Sequence, residues 1–110
     1  MKLPDGDRAH VNRAKITGYL LSLAHPDGRG KAAFFMLFGF RIEQWEVLAE
    51  TLRLLGCSNP VTGVMASAHG TRYTVDDPLR SADGRAPMVR TVWIAEPDIP
   101  GPRLITAYPL

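Results

Sequence analysis

The chain has 110 residues, of which 45% are hydrophobic and 22% charged, and its formal net charge is only +2. That is an ordinary soluble globular composition with room for one core but not two, so one domain over residues 1–110 is expected. The single cysteine, Cys57, argues against a disulfide framework or a structural zinc site, and the weak charge permits a nucleic-acid partner without requiring one.

Residues 2–11 read as a short extended entry with the turn signal Pro4-Asp5-Gly6-Asp7. Asn12 suits a helix cap, and Ile16, Tyr19, Leu20 and Leu23 recur at helical spacing. This predicts a first helix over about 12–23, stopped by Pro26 and Gly28. A second helix over about 30–38 is apolar nearly all round. It is expected at the buried centre of the helical layer, with Phe34, Leu37 and Phe38 packed on Leu20, Trp45 and Leu48. In a third helix, over about 42–55, Ile42, Trp45, Leu48, Ala49, Leu52 and Leu55 form one stripe and Gly56 is a natural stop.

After Pro60 the character changes. Residues 60–68 are ambiguous, with a short strand one option. Two runs rich in Val, Thr, Tyr and Trp flank Ala82-Asp83-Gly84, which predicts a hairpin with strands over about 70–79 and 86–95. A last strand is predicted over about 103–108. Helices first and strands afterwards give an α+β fold, with N-terminal helices packed on one face of a small antiparallel sheet.

No apolar leader opens the chain, and the apolar run 34–38 is far too short to span a bilayer. A cytoplasmic protein without membrane contact is expected, and export would need a fused delivery region. His10, His25 and His69 lie far apart with no metal-ligand spacing, so neither metal nor cofactor is expected.

The run His25-Pro-Asp-Gly-Arg-Gly-Lys31 carries most of the chemistry. It places an imidazole and two cations, Arg29 and Lys31, in a Pro/Gly loop that opens directly onto the second helix. Helix N-termini offer free N–H groups to anions, and a histidine moves protons near neutral pH. The loop therefore suits a phosphate. The alternative is that Gly28 and Gly30 only turn the chain while Arg29 and Lys31 keep it soluble.

Several pieces carry an end-to-end resemblance to a small uncharacterised bacterial domain family. They are Met1-Lys2-Leu3-Pro4-Asp5-Gly6-Asp7, Tyr19-Leu20-Leu21-Ser22, His25-Pro26, Gly28-Arg29-Gly30-Lys31-Ala32, Gly70-Thr71-Arg72-Tyr73, Val92-Trp93-Ile94 and the ending Pro102-Arg103-Leu104-Ile105-Thr106-Ala107-Tyr108-Pro109. Such domains occur as short proteins and at the C-termini of large bacterial toxin-like proteins. In addition, N-terminal helices followed by a meander ending in Thr-Ala-Tyr-Pro are similar to the barnase–EndoU–colicin–RelE group of ribonuclease toxins. That group works without metal, with a His or Lys from the helical segment and polar residues from the late strands. The resemblance implies His25, Lys31, Thr106 and Tyr108 as catalytic residues. The chain departs from the EndoU pattern in that His25 has no close histidine partner.

Metal-free RNA cleavage needs a base, an acid and a cation for the phosphorane charge. His25 suits either proton role, while Lys31 and Arg72 suit charge stabilisation and Tyr108 suits donation to a phosphate oxygen. Thr106 and Tyr108, two apart on a strand, point to one face, which is either the core side or the site side. Arg29, Arg72 and Arg90 are substrate-binding candidates, and Arg72, Arg90 and Arg103 form either a phosphate stripe or the solvent face of the sheet. Trp93 is either a base-stacking or interface residue or part of the core. His25, Lys31, Arg72, Thr106 and Tyr108 are expected to border one pocket. The expected function is a toxin-type ribonuclease with RNA as substrate. The alternative is a non-catalytic module: an antitoxin- or immunity-like protein with a cognate partner, or an RNA binder that does not cleave.

Overall fold

The computed structural model describes residues 1–81 and 83–110. Its helical half holds α1 (Arg13–Lys15), which continues as a π-turn (Ile16–Leu20), then α2 (Arg29–Leu37) and α3 (Trp45–Ser58). Short 3-10 turns occupy Gly6–Arg8 and Ile42–Gln44. Four strands follow: β1 (Gly63–Ser67), β2 (Gly70–Pro78), β3 (Met88–Ala95) and β4 (Arg103–Pro109). They form one antiparallel sheet in the order β1-β2-β3-β4, so the chain is α+β with its helices ahead of its strands. The ambiguous 60–68 segment contributes β1. The β2–β3 hairpin forms as expected, with Gly84 at φ 84° and Ser81 and Gly84 bonded across its loop. Ala82 of the expected turn lies outside the described residues.

Strand alternation sorts the sheet into two faces. Tyr73, Trp93 and Leu104 lie in one cross-strand row, and Val75, Thr91 and Ala107 in the next. Of these, only Tyr73 is less than fully buried, and the rest meet Ile16, Leu20, Leu21, Phe35, Leu48 and Leu52 from the helices. The opposite face carries Asp76, Arg90 and Tyr108 in one row and Thr74, Val92 and Thr106 in another. The β3–β4 register slips between Val92 and Trp93, so Val92 faces Thr106 while Trp93 faces Leu104. The slip keeps both Leu104 and Ala107 in the core although they are three residues apart.

Trp93 is a core residue, not a base-stacking or partner-binding one. It is fully buried, its Nε1–H donates to Thr91 Oγ1 at 2.8 Å, and that hydroxyl donates to the Val75 carbonyl at 2.9 Å. The polar end of the indole is thus satisfied inside the core, as burial demands. Gly56 does not stop α3 but lies inside it, because a Cβ there would sit 2.3 Å from Trp93 Cζ2. The missing side chain is the notch that admits the indole.

Two helical expectations need correction. The first helix ends at Leu20, not near residue 23, and its second half is a π-turn closed by the Leu21 N–H on the Ile16 carbonyl at 2.8 Å. The wider turn lets Leu20 and Leu21 both face the core and turns Tyr19 toward β4. The second helix is not buried all round. Only Ala32 and Phe35 are fully enclosed, Phe34 and Phe38 are half-buried, and Leu37 is 66% exposed. The helix thus turns Ala32 and Phe35 to the core and Leu37 to solvent. Its C-terminal end is met by the β2–β3 loop, where Arg85 donates to the Leu37 carbonyl at 2.7 Å and lies 4.3 Å from the Phe38 ring centre. A cation on the last carbonyls of a helix suits its dipole.

Candidate functional site

The π-turn, the loop before α2 and the outer edge of the sheet meet at Tyr19. Its hydroxyl is 3.1 Å from Thr106 Oγ1 on β4. The His25 ring stands edge-on to the Tyr19 ring with centroids 4.9 Å apart. Two ammonium groups lie over the same ring, Lys15 Nζ at 5.0 Å and Lys31 Nζ at 5.3 Å. Beside them opens a cleft of about 460 Å³ lined by Asn12, Lys15, Gly18, Tyr19, His25 and Arg103.

The loop is built to make this meeting possible. His25 Nδ1 accepts the Asp27 N–H at 3.0 Å and the Gly28 N–H at 3.1 Å, and the His25 carbonyl accepts the Arg29 N–H at 2.9 Å. His25 thus satisfies much of the turn that starts α2. The Asp27, Gly28 and Arg29 N–H groups are therefore already bonded to His25 and are not offered to an anion. Gly28 is required for a close approach: a Cβ would fall 2.3 Å from the Tyr19 carbonyl oxygen and 2.9 Å from its ring. Lys31 is steadied by donating to the Asp27 carbonyl at 3.2 Å.

The charge around Tyr19 is unbalanced. Among the described residues no carboxylate pairs with Lys15 or Lys31, whereas Arg90 is paired with Asp76 and Arg103 with Glu96 at 2.8 Å. Burial pushes the Tyr19 phenol up, but the Thr106 hydrogen bond and the Lys31 and Lys15 ammoniums outweigh it and leave it below the usual tyrosine value. The cluster therefore favours negative charge, whether on the phenol or on a bound anion.

Of the residues singled out in the sequence, His25, Lys31 and Thr106 converge at Tyr19. The others do not join them. Arg29 is exposed at the first position of α2. Tyr108 faces Arg90 on the outer sheet face, and Arg90 is held by both Asp76 oxygens at 2.9 Å. Arg72 is exposed on β2, opposite Met65 and Ile94, two strands from β4 and so on the order of 10 Å from that edge. With Arg90 and Arg103 both ion-paired, the three strand arginines are not a free phosphate stripe. Tyr19 and Lys15 are the residues that sequence reasoning missed. Tyr19 reads as one more apolar-stripe position, although the Lys15–Tyr19 spacing of four places both on one helical face. His69 is exposed in the β1–β2 turn.

The Asp76–Arg90 pair has a consequence for stability. Hydrogen bonding from Arg90 holds the Asp76 carboxyl below its usual range despite partial burial. A depressed folded-state value stabilises fully above the unfolded value, near 3.9, and the benefit is lost as pH falls through the folded one. Asp76→Asn is therefore expected to lower the urea midpoint at pH 7, with a deficit that shrinks toward pH 3. An equal deficit at both pH values would refute this role.

The sequence matches one family profile over residues 2–110. The chain belongs to the DUF6883 family, a domain of unknown function. No curated protein shows significant similarity to it. Among solved structures, it is similar to a chain of the contact-dependent growth inhibition toxin–immunity protein complex from Klebsiella pneumoniae 342. The two share 18% identity and a TM-score of 0.72, covering 91% of this chain and 98% of that one. At that identity the likeness is one of fold. Among the described residues, no helix of this DUF6883 domain is long and apolar enough to cross a membrane, and no three His, Cys, Asp or Glu side chains are grouped to hold a metal ion.

Proposed function

We propose that this DUF6883 domain is a small metal-independent ribonuclease of toxin type, acting in the cytoplasm at the cleft beside Tyr19. The observation that carries the reading is the convergence of Lys15, Lys31, His25 and the Tyr19 and Thr106 hydroxyls, with no carboxylate on either lysine among the described residues. RNA brings its own nucleophile, the ribose 2′-hydroxyl. The protein must hold the phosphate, stabilise the phosphorane charge and manage two protons. Lys15 and Lys31 answer the first two needs, and the Tyr19 and Thr106 hydroxyls answer the third. The fold shared with a chain from a toxin–immunity complex supports this setting, in which a cognate immunity or antitoxin protein is the partner.

The test is incubation of the purified chain with cellular RNA in the presence of a chelator. Cleavage to fragments ending in a 2′,3′-cyclic phosphate is expected. Lys31→Ala should slow it by roughly 10²–10³-fold, the scale of losing one charge-stabilising donor. Its thermal midpoint should stay near wild type, because this side chain fills no core space. Intact RNA, or cleavage only with added divalent ions, would overturn the reading.

A non-catalytic immunity-like module is a second reading, favoured by one separate observation. The edge strand β1 exposes Val64 by 59% and Met65 by 68%, a feature that suits a protein partner adding to the sheet.

A further inference from the structure

We infer that Tyr19 is a catalytic proton donor of the proposed cleavage, and that His25 is its positioning residue, not a second proton carrier. The inference rests on the ribonuclease reading above.

Nδ1 of His25 faces two backbone N–H donors, from Asp27 and Gly28. It must act as an acceptor there, so the neutral ring carries its one proton on Nε2. Acting as a base at Nε2 would require moving that proton to Nδ1, and acting as an imidazolium acid would require adding one there. Either step breaks both hydrogen bonds at the turn that starts α2. What the ring does without such cost is pin the loop and stand edge-on to Tyr19 at 4.9 Å.

Tyr19 has the opposite character. Its hydroxyl lies next to Thr106 Oγ1, which can donate to a phenolate, and its ring lies under the Lys15 and Lys31 ammoniums. These groups stabilise the species that remains once the phenol has given up its proton. They also place the scissile phosphate, which the same cations attract, beside the donor. Arg103, which also lines the cleft, is already bonded to Glu96 and adds less free charge.

In the proposed step the ribose O2′ forms a bond to phosphorus and its proton passes to water. The P–O5′ bond breaks, and the departing O5′ takes the proton of the Tyr19 hydroxyl. The products are a 2′,3′-cyclic phosphate and a 5′-hydroxyl. The phenolate, held by Thr106, Lys15 and Lys31, then recovers a proton from water, so no net proton is consumed.

The experiment uses a short RNA and its analogue with sulfur in place of the bridging O5′, a leaving group that departs without protonation. Tyr19→Phe keeps the ring packed on His25 and is expected to slow cleavage of the normal RNA by roughly 10²–10⁴-fold. The same variant should cleave the sulfur analogue at close to the wild-type rate. His25→Asn offers Oδ1 to the same two N–H groups and should retain most activity, while His25→Ala loses it. Equal slowing of Tyr19→Phe on both RNAs, or no slowing on either, would overturn the donor role. Loss in His25→Asn as deep as in His25→Ala would overturn the positioning role. A wild-type protein inactive on both RNAs would instead overturn the ribonuclease reading, and this inference with it.

Discussion

Trp93→Ala is expected to destabilise the domain by about 3–5 kcal/mol, the range for emptying a fully enclosed large aromatic site. The indole lies at the middle of the core face, between Tyr73 and Leu104, and fills the notch left by Gly56. Its loss opens a cavity that a helix and a sheet cannot both close. A domain of this size holds on the order of 5–15 kcal/mol in total, so this one change removes a large share of it. Trp93→Phe separates the two parts of the effect. It keeps most of the ring but strips the Nε1–H, and Thr91 Oγ1 keeps its own bond to the Val75 carbonyl. That loss is expected to be about 0.5–1.5 kcal/mol beyond the packing change. Urea unfolding of the three proteins decides it, and an alanine variant with the wild-type midpoint would show that the indole is not central.

The second large effect contrasts two neighbours on α2. Phe35→Ala is expected to cost about 3–5 kcal/mol, because Phe35 is fully buried and edge-on to Phe34 at 5.2 Å and to Phe40 at 6.3 Å. Leu37→Ala should change stability by no more than about 0.5 kcal/mol, since Leu37 faces solvent. Phe34 and Phe38 should fall between, as half-buried rings. Thermal midpoints of Phe35→Ala and Leu37→Ala measured side by side provide the check. Equal losses would mean that α2 is enclosed on both faces.

Much of the architecture is legible in local pattern. The third helix announces itself through the stripe of Ile42, Trp45, Leu48, Ala49, Leu52 and Leu55, of which Leu48, Leu52 and Leu55 are buried, Trp45 and Ala49 are half-buried, and Ile42 is exposed in the 3-10 turn ahead of the helix. The β2–β3 hairpin follows from two β-branched runs around Asp83-Gly84. The α2 run misleads because apolar residues all round a helix look alike in sequence. Which of Phe34, Phe35, Leu37 and Phe38 goes inside depends on the angle at which the helix lies on the core. The π-turn is equally hidden, since Ile16, Tyr19 and Leu20 fit an α-helix as well as a wider turn. Only the i→i+5 bond of Leu21 distinguishes the two.

At the candidate site, residue chemistry marks His25 and Lys31, since an imidazole and a cation in a Pro/Gly loop before a helix are conspicuous in any fold, whereas Thr106 and Tyr108 enter through the resemblance. It was not enough to separate Thr106 from Tyr108. The two share a strand face, but only Thr106 lies where the π-turn brings Tyr19 against the β4 edge. By itself the sequence determined the class of fold, the order of its elements and the types of side chain available for chemistry, because these follow from periodicity and turn residues over short windows. Tertiary structure alone decided that Tyr19 is the centre of the cluster, that His25 turns its Nδ1 to the backbone, and that Arg90 and Arg103 are already paired. Each of these depends on contacts between segments far apart in the chain, where geometry and not composition settles which charges meet.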